Sequence, residues 1–218
     1  MRTNNQLRRS AEDFFNKRFN TRNPYREVKR QLFHFIMGIF IIFSVILFSN
    51  FQVAVSLTLV LIVGGVLSLL TKAGKTNLLD FFLEHFDRDD DKKLFPGKGA
   101  FFYIFGCTMV LFIFPENVAL ASIAILAVGD SVSHLAGTYI RKHMRDDGLP
   151  KVIEGTLFGI ILSSIAASFF VDPLFAFIAS AMAMAAETTE DVMFRLDDNF
   201  YIPLIASVTI LLLRLFFG

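Results

Sequence analysis

Asp130 is the residue whose setting in this chain most clearly indicates chemistry. It follows an almost unbroken apolar run, Val118–Val128, and an ionisable side chain deep in an apolar helix marks a functional site by default. Asp130, Ser133 and Gly137 recur at i, i+3 and i+7, so they share one face of a helix. A carboxylate, a hydroxyl and a glycine on one helix face suit a metal-bound phosphate. Arg141 lies one turn further along the same face, and its guanidinium is predicted to bind the phosphate. The alternative, in which Asp130 only pairs with a buried cation from another helix, stays open.

Two predicted helix starts elsewhere in the chain are suited to binding anions. Glycine allows close approach at Glu154-Gly155-Thr156 and at Gly97-Lys98-Gly99, and free N–H groups at a helix N-terminus attract phosphate. Lys98 would add a positive charge, and Glu154 a second carboxylate for Mg²⁺. Ordinary helix capping explains either helix start alone, so the prediction of a phosphate site depends on both starts lying close to Asp130.

Other motifs fail on their spacing. Lys72–Thr76 ends like a Walker loop, but Leu69 stands where that loop requires glycine. The acidic run Asp87–Asp91 begins like a calcium loop, yet it lacks the glycine that such a loop requires. The four histidines show no spacing typical of a metal site, and His34 is interpreted as a group at the membrane interface. Cys107 is the sole cysteine, so the chain has no intrachain disulfide.

Apolar helices are the elements that must position these residues. The 218-residue chain is 54% hydrophobic, contains 27 Phe and has a mean hydropathy of +0.56, values typical of a membrane protein. We predict an all-α, polytopic membrane protein with about seven transmembrane helices, because the first two apolar runs are each long enough to cross about 30 Å of hydrocarbon as a helix and five further apolar runs follow. The fourth and sixth runs are rich in small residues and are predicted to form the packed centre. The predicted spans are Leu32–Phe48, Phe51–Leu70, Gly99–Phe114, Val118–Ile140, Glu154–Val171, Leu174–Ala186 and Phe200–Phe217.

Polar segments divide the chain and set its orientation. Residues 1–28 form a basic N-terminal segment, predicted to be an interfacial amphipathic helix or a basic tail, and residues 29–218 are assigned to a transmembrane catalytic domain. The amphipathic stretch 78–86 is predicted to lie at the interface. With seven spans, every Lys and Arg except Arg214 falls on one side, which predicts a cytoplasmic N-terminus and an integral, multi-pass protein with its site on the cytoplasmic face.

Four motifs in this chain occur in the same order as in a known family. They are KRQLFHFIMG at Lys29–Gly38, GDSVSHLAG at Gly129–Gly137, IEGT at Ile153–Thr156 and DNFYIPLIA at Asp198–Ala206. In these four motifs the chain resembles the polytopic CTP-dependent lipid kinases, a family that comprises dolichol kinase, phytol kinase and the CTP-dependent diacylglycerol kinases. It is similar more distantly to phosphatidate cytidylyltransferases. The resemblance covers nearly everything from residue 27 onward.

The resemblance implies phosphoryl transfer from CTP to the hydroxyl of a membrane lipid alcohol, with Mg²⁺ as cofactor. Asp130, alone or with Glu154, would hold Mg²⁺, or Asp130 would act as the general base. His134 departs from the family pattern, because a small residue is usual at that position. The residues expected to bind the nucleotide and its phosphates are Lys29, Arg30, Lys98, Gly129, Ser133, Gly137, Arg141, Gly155, Thr156, Asp198 and Asn199.

Two other functions stay open on the sequence. A cytidylyltransferase would transfer CMP from CTP to a phospholipid, and it needs nearly the same cytoplasmic charges. A channel or transporter would use Asp130 and His134 to line a polar path. The expected partners are a lipid alcohol, a nucleoside triphosphate and the bilayer, with no nucleic acid. The identity of the lipid, the preference for CTP over ATP and association into a homo-oligomer are left open.

Overall fold

The computed structural model describes residues 24–86, 95–143, 152–188 and 197–217. Most of the predicted basic segment and of the acidic run Asp87–Asp91 lies outside these ranges, and so do the predictions made for them. Within the described residues every regular element is a helix, which confirms the all-α class. The helices are α1 Pro24–Leu47, α2 Asn50–Lys72, α3 Asp80–Phe86, α4 Lys98–Ile113, α5 Glu116–Ala124, the π segment Ile125–Asp130, α6 Ser131–His143, α7 Val152–Ala167, α8 Pro173–Thr188 and α9 Asp198–Phe217.

The apolar helices match the predicted runs in place, although not all of them in length. Among the described residues, four segments are long and apolar enough to cross a membrane: Tyr25–Leu47, α2, the continuous helix Glu116–Ile140 and α9. The other three, α4, α7 and α8, have 16 residues each and are therefore about 24 Å long. The structure thus supports a multi-pass membrane protein, while the number of seven crossings stays a prediction.

The helix formed by α5, the π segment and α6 is the centre of the bundle. In its apolar window 78% of the residues are buried, against 22 to 33% in the other three long helices. Small residues permit this burial, as predicted. A side chain at Gly159 of α7 would come within 2.9 Å of the Gly129 carbonyl oxygen, so glycine is needed where these two helices cross.

The helix α1 packs against the π segment rather than against its neighbour in sequence. Ser49 caps α2 with a capping box, which makes the turn after α1 short, as predicted. However, α2 packs mainly on α4, and α1 contacts α6 and the π segment instead. At Gly38, a side chain would collide with Ala127 and Tyr103. This close approach places His34, one turn earlier on α1, beside Asp130.

The start of α9 is held by its own residues and by α4. Asp197 accepts hydrogen bonds from the Asn199 backbone N–H at 3.3 Å and from the Asn199 side chain at 2.7 Å, so it caps the helix. Pro203 has no N–H to donate to the Asn199 carbonyl one turn back. That carbonyl instead lies against Gly106 of α4, where a side chain would meet it at 2.6 Å.

Candidate functional site

Buried polar side chains collect at one end of the bundle. The first half of α1, the junction of the π segment with α6 and the start of α9 contribute to them, and half-buried Glu187 of α8 and Lys98 of α4 lie beside them. Such groups are costly in an apolar bundle unless they are paired or functional. The buried polar residues of this region are Glu27, Arg30, Gln31, His34, Asp130, Ser131, Ser133, Asp197, Asp198 and Asn199.

Asp130 lies at the centre of this region and contacts two histidines. It is 1% exposed. Its Oδ2 is 3.4 Å from Nδ1 of His34 on α1, and its Oδ1 is 3.2 Å from Nε2 of His134, one turn further along its own helix. The π segment ends at Asp130, and such wide turns recur at functional sites. His34 is thus a partner from another helix, but an imidazole is a cation only when protonated, so the alternative of a buried cation stays a prediction.

His134 connects Asp130 to two further carboxylates. Its Nε2 lies 3.5 Å from Oε1 of Glu187, and its Nδ1 lies 3.9 Å from Oε1 of Glu27. The Nε2 atom is buried, yet it makes no hydrogen bond of acceptable geometry to any described residue. It points between the two carboxylates rather than at one of them.

Ser133 holds Glu187 in place. The Ser133 hydroxyl lies 3.1 and 3.3 Å from the two carboxylate oxygens of Glu187, and 3.1 Å from the carbonyl oxygen of Asp130. Since a hydroxyl has one proton, it can donate to only one of these oxygens at a time. The contact joins the end of α8 to the start of α6 beside Asp130.

Arg30 is a buried cation next to these carboxylates. It donates to Oε1 of Glu27 at 2.7 Å, and Gln31 donates to the same oxygen at 3.1 Å. The carboxylates of Asp130 and Asp198 also act on Arg30 electrostatically. Its Nε is buried and has no hydrogen-bond partner among the described residues. One N–H of a fixed guanidinium is thus available to an anion.

The starts of α4 and α9 meet at the edge of this region. Lys98 Nζ lies 3.7 Å from Oδ2 of Asp197, and Lys98 is the more exposed of the pair. Asp198 and Asn199 are almost completely buried. The side-chain oxygen of Asn199 has no hydrogen-bond partner among the described residues. The predicted DN pair therefore lies close to Lys98, at the end of the bundle that carries Asp130.

The structure does not bring every predicted site residue into this cluster. Lys29 and Glu154 are exposed, and the described group of potential metal ligands contains Glu187 and not Glu154. For Arg141 only the helical backbone is described, and a side chain at Gly137 would meet nothing within 4 Å. The roles predicted for these residues, and for half-buried Thr156, stay predictions.

Gly155 and Gly129 have observed packing roles. A side chain at Gly155 would come within 2.5 Å of the Ser133 carbonyl oxygen, and one at Gly129 would come within 2.6 Å of the Met184 sulfur. Gly155 therefore lets α7 approach α6 closely. Binding of phosphate at Gly155 stays a prediction, and helix packing already accounts for the glycine.

Several residues of the site do not follow from the sequence reasoning. The interpretation of His34 as an interface group is wrong, because its side chain is buried and contacts Asp130. His134 also belongs to the site, and its i+4 spacing from Asp130 is a signal for it. On α1, Glu27, Gln31 and His34 recur at helical spacing, which is a second signal. Glu187 gives no comparable signal, because only the packing of α8 brings it to Asp130.

Asp130, His134 and Glu187 form a group that fits a divalent metal ion. One ligand atom from each lies within 4.8 Å of the others. Two carboxylates suit Mg²⁺, which stays a prediction, whereas an imidazole is more typical of transition metals. The residues therefore fit a divalent cation, with a ligand set that differs from the predicted pair of Asp130 and Glu154.

Comparison with known proteins gives one relative of similar length. The chain is 28% identical over 186 residues to an uncharacterised protein of Methanocaldococcus jannaschii, and the match covers 85% of this chain and 93% of that protein. No family model matches the chain, and no solved structure does. The similarity extends along almost the whole of both chains, but it carries no activity with it.

Proposed function

We propose that this protein is a CTP-dependent kinase that phosphorylates the hydroxyl of a membrane lipid alcohol. The observation that carries the proposal is the pair of carboxylates formed by buried Asp130 and half-buried Glu187, with the buried guanidinium of Arg30 near Asp130. Carboxylates that can hold a divalent cation, next to a guanidinium with a free N–H, suit a nucleoside triphosphate better than a neutral ligand. The location within a bundle of apolar helices suits an acceptor that is a lipid.

Asp130 and Glu187 are the residues that would hold the divalent cation, and the cation would supply neutralisation of triphosphate charge. Arg30 would donate its free Nε–H to a phosphate oxygen while Glu27 keeps the guanidinium in place. Lys98, at the more exposed edge, would contact the phosphates on the solvent side. Catalysis in phosphoryl transfer is mostly positioning and charge stabilisation, and these residues are of the types that such a reaction requires.

The acceptor hydroxyl must lose a proton during transfer. If Asp130 acts as the general base, His34 lies at its Oδ2 and can take up the proton. If Asp130 is a metal ligand only, the same histidine orients its carboxylate. Both roles are compatible with the contacts of Asp130.

We propose seven membrane crossings, with the N-terminus and the site on the cytoplasmic side. Support comes from the site itself, because it uses the starts of α1, α4 and α9, the end of α8 and the second half of the continuous helix Glu116–Ile140. These are the ends that share one face if successive helices alternate in direction. Fusions of a reporter active only in the cytoplasm at residues 75, 116 and 218 should report cytoplasmic, external and external positions. Activity at residue 116 would contradict the topology.

Two labelled forms of CTP test the proposed reaction. Purified protein in mixed micelles, supplied with Mg²⁺ or Mn²⁺ and a panel of lipid alcohols and phosphatidate, is incubated with CTP labelled at the γ- or the α-phosphate. We expect label in the organic phase from the γ-position alone. Label from the α-position alone would identify a cytidylyltransferase instead, and the absence of transfer to every lipid would contradict both.

A proton or ion transporter is the second candidate, favoured by one specific observation. His34, Asp130, His134 and Glu187 form a continuous chain that runs from buried to half-buried side chains, with successive contacts of 3.4, 3.2 and 3.5 Å. Such chains relay protons in transport proteins. On the far side of His34, however, lie the Tyr103 ring and an apolar core. Proton flux in liposomes that depends on Asp130 would favour transport over the kinase.

A further inference from the structure

We infer that Asp130, His134 and Glu187 bind a divalent transition-metal ion, with the His134 imidazole as a direct ligand. This site is also the site of the proposed kinase. The role of the metal in catalysis rests on the proposed function, whereas the binding of the metal does not. Binding itself needs no nucleotide or lipid. Mn²⁺ is the suitable probe, because it accepts both carboxylate and imidazole ligands and replaces Mg²⁺ in many phosphate-binding sites.

Two of the distances between the three donor atoms match those around a bound metal. Ligand atoms that lie about 2.0–2.2 Å from a metal are about 2.8–3.6 Å from one another in octahedral or tetrahedral sites. His134 Nε2 lies 3.2 Å from Asp130 Oδ1 and 3.5 Å from Glu187 Oε1. All three donors lie within 4.8 Å of one another. Small side-chain movements are therefore enough to surround an ion.

The orientation of His134 favours coordination over an ion pair. An imidazole that served only to pair with a carboxylate would direct its N–H along one oxygen. Here the buried Nε2 faces two carboxylate oxygens and makes no well-aligned hydrogen bond to any described residue. If a cation lies between them, the Nε2 lone pair and the two carboxylate oxygens can all bind it at the same time.

Each of the three ligands also has an outer partner, as ligands of protein-bound metals usually do. Asp130 uses its second oxygen to contact His34 at 3.4 Å, and Ser133 contacts the carboxylate of Glu187 at 3.1 Å. The second nitrogen of His134 faces Glu27 at 3.9 Å. At this distance the contact is electrostatic and is not a hydrogen bond, but the carboxylate attracts a proton to this nitrogen and so leaves the first nitrogen to the metal.

The inference is tested by spectroscopy of Mn²⁺ bound to the full chain in detergent, after removal of endogenous metal. Pulsed electron paramagnetic resonance detects nitrogen-14 modulation when an imidazole coordinates Mn²⁺. We expect that modulation in the wild-type protein, its loss in His134→Gln, and its retention in His34→Gln. The exposed histidine of α3 provides the matched control, His85→Gln, which should leave the spectrum unchanged.

Metal affinity provides the second readout. We expect His134→Gln and Glu187→Gln to weaken Mn²⁺ binding about tenfold or more, by analogy with other metal sites. His134→Asp, which presents oxygen donors only, should keep a divalent site but shift its preference from Mn²⁺ toward Mg²⁺. Absence of nitrogen modulation in the wild-type protein, or unchanged Mn²⁺ affinity in folded His134→Gln, would overturn the inference. Metal binding without lipid phosphorylation would leave the metal site standing and contradict the kinase.

Discussion

Asp130 and His34, from two different helices, meet inside the bundle with 3.4 Å between Oδ2 and Nδ1. The contact depends on two other features of the fold. Gly38 lets α1 approach the π segment, and the Tyr103 hydroxyl donates to the His34 carbonyl at 2.8 Å. The position of the central carboxylate is thus set partly by α1, which the sequence motif Lys29–Gly38 already connects with the site.

We expect His34→Gln to lower the turnover of the proposed reaction by about 10- to 100-fold, the range found for outer partners of a functional ligand. The KM for CTP should change less than kcat, because His34 orients Asp130 and is not expected to touch the nucleotide. Steady-state kinetics with γ-labelled CTP measure both parameters. A large increase of KM at constant kcat would show instead that His34 contributes to nucleotide binding.

Asp130→Asn should abolish lipid phosphorylation, with a decrease in rate of about a thousandfold or more, since an amide can neither serve as a base nor replace a charged ligand. The side chain keeps its shape, so the protein should still elute as a folded species in detergent. Glu116→Gln changes an exposed carboxylate at the opposite end of the same continuous helix and should leave the rate unchanged. Near-normal activity of Asp130→Asn would remove Asp130 from the reaction.

The sequence predicts those features of the structure that depend on local sequence, and not those that depend on how the helices pack. The helices follow from long apolar runs, because only helices satisfy the backbone of such runs in lipid. For example, the run Phe200–Phe217 corresponds to α9 within two residues. The π segment does not follow, since its wide turn depends on how α5 packs against its neighbours. Its extra residue changes which side chains share a face with Asp130.

The candidate site is predictable only where its residues lie near one another in sequence. Asp130 and Ser133 are detected because they interrupt an apolar helix, and His134 is accessible to the same reasoning at i+4. Glu187 and His34 reach Asp130 through tertiary packing alone. Glu154 matches a family motif, but local sequence cannot tell whether a carboxylate at a helix start turns inward, and the structure has it exposed.

Arg30→Lys should raise the KM for CTP about tenfold, which corresponds to about 1.4 kcal/mol. Lysine retains the charge but cannot contact Glu27 while also presenting a second, fixed N–H to a phosphate. Arg214→Lys is the matched control, because Arg214 contacts Asn117 at the other end of the bundle. Equal KM values for the two variants would contradict a phosphate contact by Arg30.

Gly155→Ala should destabilise the protein by about 1–3 kcal/mol, because the added methyl group would meet the Ser133 carbonyl oxygen at 2.5 Å. That oxygen belongs to the backbone of α6 and cannot turn away, so α7 must move outward. Gly64→Ala is the control, since a side chain at Gly64 of α2 meets nothing within 4 Å and alanine favours a helix.

Cys107, which is completely buried, reports unfolding when a thiol-reactive dye is added during heating. We expect a lower melting temperature for Gly155→Ala and an equal or higher one for Gly64→Ala. If Gly155→Ala melts like the wild-type protein but loses activity, the glycine serves phosphate binding rather than helix packing.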